Sequence, residues 1–171
     1  MTSKLVSPLL AIPILGALLV IQTAIFSQIP LLQGTTDLVL LATLAWSLQP
    51  RVRTAWQWGI IGALLVGFVS AVSAIVFVLS YLGAVGLALI LRRRIWQVPL
   101  LAMFIATFFG TLAVHLFTLA ALRVTGVALP VGASINTIIL PSVLLNLLFA
   151  LPFFTLFKDL ADFLYPAELE M

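Results

Sequence analysis

The 171-residue sequence contains no cysteine, and charged residues make up only 8% of it. Without cysteine the chain has no disulfide, thiolate metal ligand or cysteine nucleophile. A single histidine, His115, is too few for a histidine-based metal site, so we expect neither a metal nor another cofactor. A soluble domain is about half apolar and about a quarter charged. Here 64% of the residues are hydrophobic and the mean hydropathy is +1.31, which indicates a polytopic membrane protein.

Signatures of catalysis and of nucleic-acid binding are also missing. The sequence has no nucleophile elbow, phosphate-binding glycine loop or carboxylate pair, so we predict that the chain is not an enzyme. Eight basic residues against five acidic ones give a net charge of +3. The basic residues lie at the ends of apolar segments, and the preference of Lys and Arg for the cytoplasmic side explains them better than nucleic-acid binding.

The uncharged segments predict an all-α protein with six transmembrane helices and a short central hairpin. Residues 55–91 would form one straight helix of about 55 Å, against a hydrocarbon core of ~30 Å. Two helices that turn around residues 70–73 fit better, because arginine clusters flank this stretch on both sides. The predicted spans of the single integral membrane domain, residues 1–171, lie near 8–28, 31–49, 55–69, 74–91, 98–122 and 137–157. An interfacial helix over 157–165 follows, with Leu156, Leu160, Phe163 and Leu164 on its apolar face.

The basic residues also predict the orientation in the membrane. With both termini in the cytoplasm, only Arg123 lies outside. The cytoplasmic side then holds Lys4, Lys158 and the membrane-surface residues Arg51, Arg53, Arg92, Arg93 and Arg94. The four tryptophans flank these clusters, and we expect them at the level of the lipid headgroups: Trp46, Trp56, Trp58 and Trp96.

Three polar residues in the apolar segments are candidates for a function. Asp37 is either an N-cap of the second helix or a polar contact to a partner at the outer face. Asn146 is expected to bond a neighbouring helix or the backbone freed by Pro152, with an interface to a partner as the alternative. His115 has no ionisable neighbours for a proton relay, so we expect an interhelical hydrogen bond or a water-lined position.

Small residues recur at four-residue spacing on two of the predicted spans. They are Gly59, Ala63 and Gly67 on the third span, and Ala102, Ala106 and Gly110 on the fifth. Such faces let helix backbones approach closely, which matters in lipid because no hydrophobic effect drives helices together there. Internal packing explains one face. Two faces are more than one helix pair requires, so we expect one of them to contact a single-span partner.

Four segments carry a resemblance to a known family. They are Thr-Asp-Leu-Val-Leu-Leu at 36–41, the small-residue segment 62–67, Tyr-Leu-Gly at 81–83 leading to Leu-Arg-Arg-Arg at 91–94, and Leu-Pro-Ser-Val-Leu-Leu-Asn at 140–146. On these residues the chain resembles the rod-shape-determining protein MreD family over nearly its whole length.

The resemblance implies a non-catalytic subunit of the bacterial cell-elongation complex in the cytoplasmic membrane. Such a subunit binds MreC and helps couple MreB filaments to the peptidoglycan synthases RodA and penicillin-binding protein 2. The implied fold is similar to the substrate-binding subunits of vitamin transporters, so the alternative is a substrate-binding subunit of an ATP-driven vitamin transporter. Those subunits usually dock through an Ala-x-x-x-Ala face on the first helix, where this chain has Ser7 and Ala11. A ligand pocket also needs convergent polar groups, and we expect few in the outer halves of the spans.

Overall fold

The structure, a computed structural model, describes residues 3–26, 34–127 and 130–166. These residues form helices and connecting segments, with no strand among them. The helices are α1 (Ser3–Ile21, continued by a π-helical turn Gln22–Phe26), α2 (Leu38–Ser47), α3 (Ala55–Val69), α4 (Ala74–Arg94), α5 (Pro99–Val124), α6 (Val131–Ser134) and α7 (Leu140–Leu164). A second π-helical segment, Ile135–Ile139, joins α6 to α7.

Four helical stretches are long and apolar enough to cross a membrane, namely Ser7–Ala24, Ala74–Arg94, Pro99–Val124 and Val131–Leu164. The helices α2 and α3 have 10 and 15 residues. At 1.5 Å per residue they are about 15 and 22 Å long, shorter than a hydrocarbon core of ~30 Å. The chain is therefore a multi-pass membrane protein, and four of its six predicted spans reach the length of a crossing.

The six longest described helices run alternately between two ends of one bundle. At one end, Arg51 after α2 contacts the backbone oxygen of Tyr165 after α7, and Arg92 near the end of α4 also reaches the backbone after α2. We call this the basic end. At the other, which we call the Asp37 end, Gln22 after α1 bonds the start of α2. The basic residues gathered at the basic end are Arg51, Arg53, Arg92, Arg93, Arg94 and Lys158.

Helix α2 is the centre of the bundle. All ten of its residues are buried, and it packs against α1, α3, α4, α5 and α7. Its length suits this position, because a helix of ten residues is too short to cross the hydrocarbon core alone. The other helices surround α2 and expose their outer apolar side chains.

The ends of the bundle differ from the predicted boundaries in two places. The predicted interfacial helix 157–165 is not a separate element, since α7 continues without a break to Leu164. Its buried side chains there are Phe157 and Ala161, whereas Leu156 and Phe163 are exposed. Of the predicted apolar face, Leu160 and Leu164 pack partly buried against the core, whereas Leu156 and Phe163 do not. Residues 27–28 of the first predicted span and 31–33 of the second lie outside the described residues.

Candidate functional site

Asp37 is the N-cap of α2 and also binds α4. Its Oδ1 accepts a hydrogen bond of 2.9 Å from the backbone N–H of Leu40, which satisfies one of the free donors of the first turn. The hydroxyl of Tyr81 lies 2.8 Å from both carboxylate oxygens. A buried tyrosine hydroxyl needs such a partner. Asp37 thus positions α4 against the start of α2 as well as capping the helix.

Asn146 ties α7 to two other helices at the same level. Its Oδ1 accepts from the backbone N–H of Asp37 at 2.9 Å, and its Nδ2 donates to the hydroxyl of Thr111 on α5 at 2.9 Å. The Asn146 side chain is fully buried. One turn earlier, the Ser142 hydroxyl accepts from the backbone N–H of Thr35 at 2.8 Å. The structure therefore places Asn146 between neighbouring helices, where its side chain bonds α2 and α5 and not the backbone freed by Pro152.

Gln22 completes the hydrogen-bonded cluster. Its side-chain oxygen accepts from the backbone N–H of Leu38 at 2.8 Å, so α1 is joined to the same helix start. We call the set Gln22, Asp37, Tyr81, Thr111 and Asn146 the polar junction. Five helices meet there through side chains far apart in sequence. In a low-dielectric interior an unpaired polar group is costly, and a satisfied network fixes the helices in one arrangement.

The Asp37 carboxylate has no basic partner among the described residues. Among the described residues, the ion pair of the structure joins Arg51 to Asp162, at the opposite end of the bundle. Backbone N–H groups, the Tyr81 hydroxyl and the positive end of α2 stabilise the Asp37 charge instead. An ionisable group in this setting is expensive inside a membrane, which makes the polar junction the leading candidate site.

A cavity of about 190 Å³ borders the polar junction. Asp37, Thr111, His115 and Thr118 contribute to its lining. The lining also includes Thr36, whose buried hydroxyl makes no hydrogen bond to any described residue. This cavity has room for several water molecules. We expected few convergent polar groups in the outer halves of the spans, yet the helices bring Gln22, Thr111, His115 and Thr118 to one cavity, and the segment before α2 adds two threonines.

At the basic end, Arg92 performs a structural role that sequence reasoning did not assign to it. Its Nη1 donates to the backbone oxygens of Ser47, Gln49 and Val52 at 3.1, 2.8 and 3.0 Å. The carbonyl of Ser47 belongs to the last residue of α2, and the other two carbonyls lie just after it. The last carbonyls of a helix have no intrahelical partner, so Arg92 caps the C-terminal end of α2. Arg93, Arg94 and Arg53 are exposed, as membrane-surface residues would be.

The tryptophans divide into two pairs. Trp56 and Trp96 are 47% and 71% exposed, but Trp46 and Trp58 are fully buried. Trp46 and Trp58 stack at a centroid distance of 4.5 Å, and their ring N–H groups donate to Thr54 and Ser7. Trp46 and Trp58 lie at the basic end with the other two, but their rings are buried inside the bundle, so they contact protein and not lipid headgroups. The physical reason is that polar side chains of α1 and of the α3 N-terminus satisfy both indoles inside the bundle.

Both small-residue faces turn inward. A Cβ added to Gly59 would lie 2.9 Å from Val85 on α4, and one added to Gly67 would lie 2.8 Å from the Ala74 backbone. A Cβ on Gly110 would lie 3.3 Å from Ala84 on α4 and from a side chain of α2. The remaining members, Ala63, Ala102 and Ala106, are buried as well. The expectation that one face is external is wrong, because α4 packs against α3 on one side and α5 on the other and so occupies both faces.

Sequence reasoning identified two members of the polar junction and missed three. Asp37 and Asn146 stand out because charged and amide side chains are rare in these segments. Gln22, Tyr81 and Thr111 were missed, since a lone glutamine, tyrosine or threonine in an apolar helix is common. Tyr81 was the one signal available for these partners. A tyrosine within an apolar helix needs a hydrogen-bond partner for its hydroxyl when it is buried, and Asp37 is a suitable acceptor.

No protein-family model, curated protein or solved structure matches this chain. Its class therefore follows from its own geometry. The described residues form an all-helical, multi-pass membrane protein whose internal polar side chains connect helices to one another. Within the described ranges, no group of three or more metal-ligating side chains comes together.

Proposed function

We propose that this protein is a non-catalytic membrane subunit of the bacterial cell-elongation complex, as its resemblance to the MreD family implies. It binds an MreC-like single-span protein and helps to couple MreB filaments to RodA and penicillin-binding protein 2. The observation that carries the proposal is the use of the polar side chains. Asp37, Asn146 and Arg92 bond other helices of the chain. Because these polar side chains are used inside the chain, the proposal places the contact with the partner on the outer surface.

The proposed location is the bacterial cytoplasmic membrane, with six spans and both termini in the cytoplasm. The gathering of six basic side chains at one end supports this orientation. The short helices α2 and α3 cross where the bilayer is thinned or where connecting segments complete the passage.

Cysteine labelling tests this topology without background, because the native chain has no cysteine. Gln97 at the basic end and Thr125 at the Asp37 end are both exposed. In intact cells, a membrane-impermeant maleimide should label Thr125→Cys and leave Gln97→Cys unlabelled until the cells are opened. Labelling of Gln97→Cys from outside would contradict the topology.

The proposed seam for the single-span partner lies on the exposed side of α4. Gly83 is exposed there, and a Cβ added to it would meet no atom within 4 Å. Glycine in a helix interior costs about 1 kcal/mol relative to alanine, so an open position has no internal reason to be glycine. Beside it, Trp56, Gly86 and Ile90 help to line a groove of about 350 Å³. A partner helix that packs closely against this side of α4 would explain why position 83 is a glycine.

Co-purification with the MreC-like protein tests the seam. Gly83→Leu should abolish recovery of the partner while the chain inserts and melts normally. Gly16 on α1 is equally open, since a Cβ there also meets nothing within 4 Å, so the argument from an open glycine applies to it as well. The groove beside Gly83 favours α4, and Gly16→Leu should keep the partner. Loss of the partner in Gly16→Leu alone would place the seam on α1. Normal recovery with Gly83→Leu would exclude this seam, and failure of the wild type to recover an MreC-like protein would exclude the function itself.

The cavity at the polar junction favours a second candidate, a small-molecule binding subunit of an ATP-driven transporter. Several polar side chains line it, and they include the unpartnered hydroxyl of Thr36. Its volume of about 190 Å³ is below the ~300 Å³ at which ligand pockets for drug-sized molecules begin. Ser7 and Ala11, at the docking position of such subunits, are buried within the chain. Mass spectrometry of the purified protein distinguishes the two functions. A vitamin that co-purifies in stoichiometric amount would replace the first proposal with this one.

A further inference from the structure

A pocket of about 320 Å³ lies at the basic end, between the segment after α2, the α4–α5 connection and α7. Its walls are mainly apolar and include Pro99, Ala102 and Phe154. Two cationic side chains, Arg92 and Lys158, also line it, together with the exposed ring of Trp96. Among the described residues, no acidic one lines the pocket. The site therefore combines positive charge with an apolar surface.

Both cationic side chains have hydrogen-bond donors that bind no described residue. Lys158 makes no ion pair or hydrogen bond with the described residues. Asp162, on the same helix, is engaged by Arg51 at 3.4 Å. Arg92 binds the α2 carbonyls through Nη1 alone, so its other guanidinium nitrogens form no bond within the described part of the chain. An anion between Arg92 and Lys158 would find charge-assisted donors on both sides.

The position of the pocket specifies the kind of anion. The candidate membrane-spanning stretches α4 and α5 end at Arg94 and begin at Pro99, so the pocket lies where the apolar region of the protein meets the aqueous phase. Basic pockets between helices at this level suit anionic lipid headgroups. An exposed tryptophan at the rim is also typical of the lipid–water boundary. A soluble anion would gain nothing from the apolar walls.

We propose that this pocket binds the phosphate-bearing headgroup of an anionic phospholipid. The phosphate lies between Arg92 and Lys158, and the first part of the acyl chains covers the apolar wall at Phe154 and Ala102. A volume of about 320 Å³ suits a headgroup with its glycerol and not a whole lipid. This site is independent of the partner proposed above, because it lies at the basic end and uses none of the Gly83 side of α4.

Native mass spectrometry of the full-length protein in detergent tests the proposal. Wild-type protein should retain one phosphatidylglycerol molecule in preference to phosphatidylcholine. Lys158→Gln should weaken phosphatidylglycerol binding at least about tenfold, because it removes a charge-assisted hydrogen bond to the phosphate. Arg53→Gln is the matched control, since it removes the same charge from an exposed position at the same end outside the pocket, and it should bind like the wild type.

The possible results separate the sources of the anion. Equal retention of the two lipids overturns the proposal, as does equal loss in Lys158→Gln and Arg53→Gln, which indicates diffuse surface attraction. Displacement of the lipid by an equal concentration of inorganic phosphate overturns the lipid assignment in favour of a free anion. A melting temperature of Lys158→Gln equal to wild type shows that the loss is local. If that variant is unstable, tryptophan quenching in the wild type decides instead. Stronger quenching by brominated phosphatidylglycerol than by brominated phosphatidylcholine, with a smaller difference in Trp96→Phe, supports the proposal, and equal quenching by the two lipids overturns it.

Discussion

The Asp37 end and the basic end of the bundle contain the same helices but hold them together by different forces. At the Asp37 end, side chains from five helices form direct hydrogen bonds around the start of α2. At the basic end, stacked indoles of Trp46 and Trp58 pack against Phe157. Polar groups there serve the indole N–H groups and the last carbonyls of α2.

The length of α2 explains why both ends need polar partners. A helix of ten residues ends within the bundle, so its free N–H and C=O groups are not in bulk water. The long neighbour α4 reaches both ends, with the Tyr81 hydroxyl at one and the Arg92 guanidinium at the other. The comparison shows how a membrane protein can hold a short central helix: its neighbours supply the hydrogen bonds that solvent would otherwise provide.

The largest expected effect tests the aromatic packing at the basic end. Trp46 is fully buried, and Trp46→Ala should lower the free energy of unfolding by about 3–5 kcal/mol, because it leaves a cavity beside Trp58 and Phe157. Unfolding by SDS titration in mixed micelles measures it. Trp56→Ala removes a half-exposed ring and should change stability by at most about 0.5 kcal/mol. Equal effects would mean that the buried aromatic cluster does not stabilise this end.

The next effect tests the polar junction. Asp37→Ala removes the cap of α2 and the acceptor of Tyr81, and the same titration should show a loss of about 2 kcal/mol. Asp37→Asn keeps the capping oxygen and an acceptor for Tyr81, so it should retain most of the stability. An equal loss in Asp37→Asn and Asp37→Ala would show that the negative charge itself, and not the hydrogen bonds, holds this end.

Asn146 is expected to contribute less than Asp37. Polar pairs inside membranes average ~0.6 kcal/mol each, and Asn146 makes two. Asn146→Leu should therefore reduce stability by about 1 kcal/mol and leave insertion intact. The control is Asn136→Leu, at an exposed position, which should leave the melting temperature unchanged. An unchanged melting temperature for Asn146→Leu with lost partner binding would move Asn146 from the polar junction to the interface.

The smallest effect is expected at the surface of the basic end. Arg51 and Asp162 are 3.4 Å apart with side chains 49% and 56% exposed. An ion pair this exposed contributes about 0–1 kcal/mol and is screened by salt. Arg51→Gln should therefore leave the melting temperature nearly unchanged at 0.15 M salt. A drop as large as that of Arg92→Gln would show that surface charge, and not the capping of α2, stabilises the basic end.

Some features of the candidate site were predictable from single residues. Asp37 and Asn146 are conspicuous because an acidic or amide group in an apolar segment needs an internal partner. Their partners Tyr81 and Thr111 lie 44 and 35 positions away along the chain, and no local pattern links such positions. Arg92 shows the same limit, since its charge suggested the membrane surface and only its neighbours reveal a helix cap.

The sequence by itself determined the class of protein, the helical segments and the grouping of basic residues, because hydropathy and charge act on each segment separately. The tertiary structure decided which faces turn inward. In a soluble helix, polar outer residues would have distinguished those faces. Here Gly67 and Gly83 both lie in apolar helices, yet the first contacts Ala74 and the second is open. Lipid and protein interior are equally apolar, so hydrophobicity carries no information about facing, and close packing with hydrogen bonds decides it.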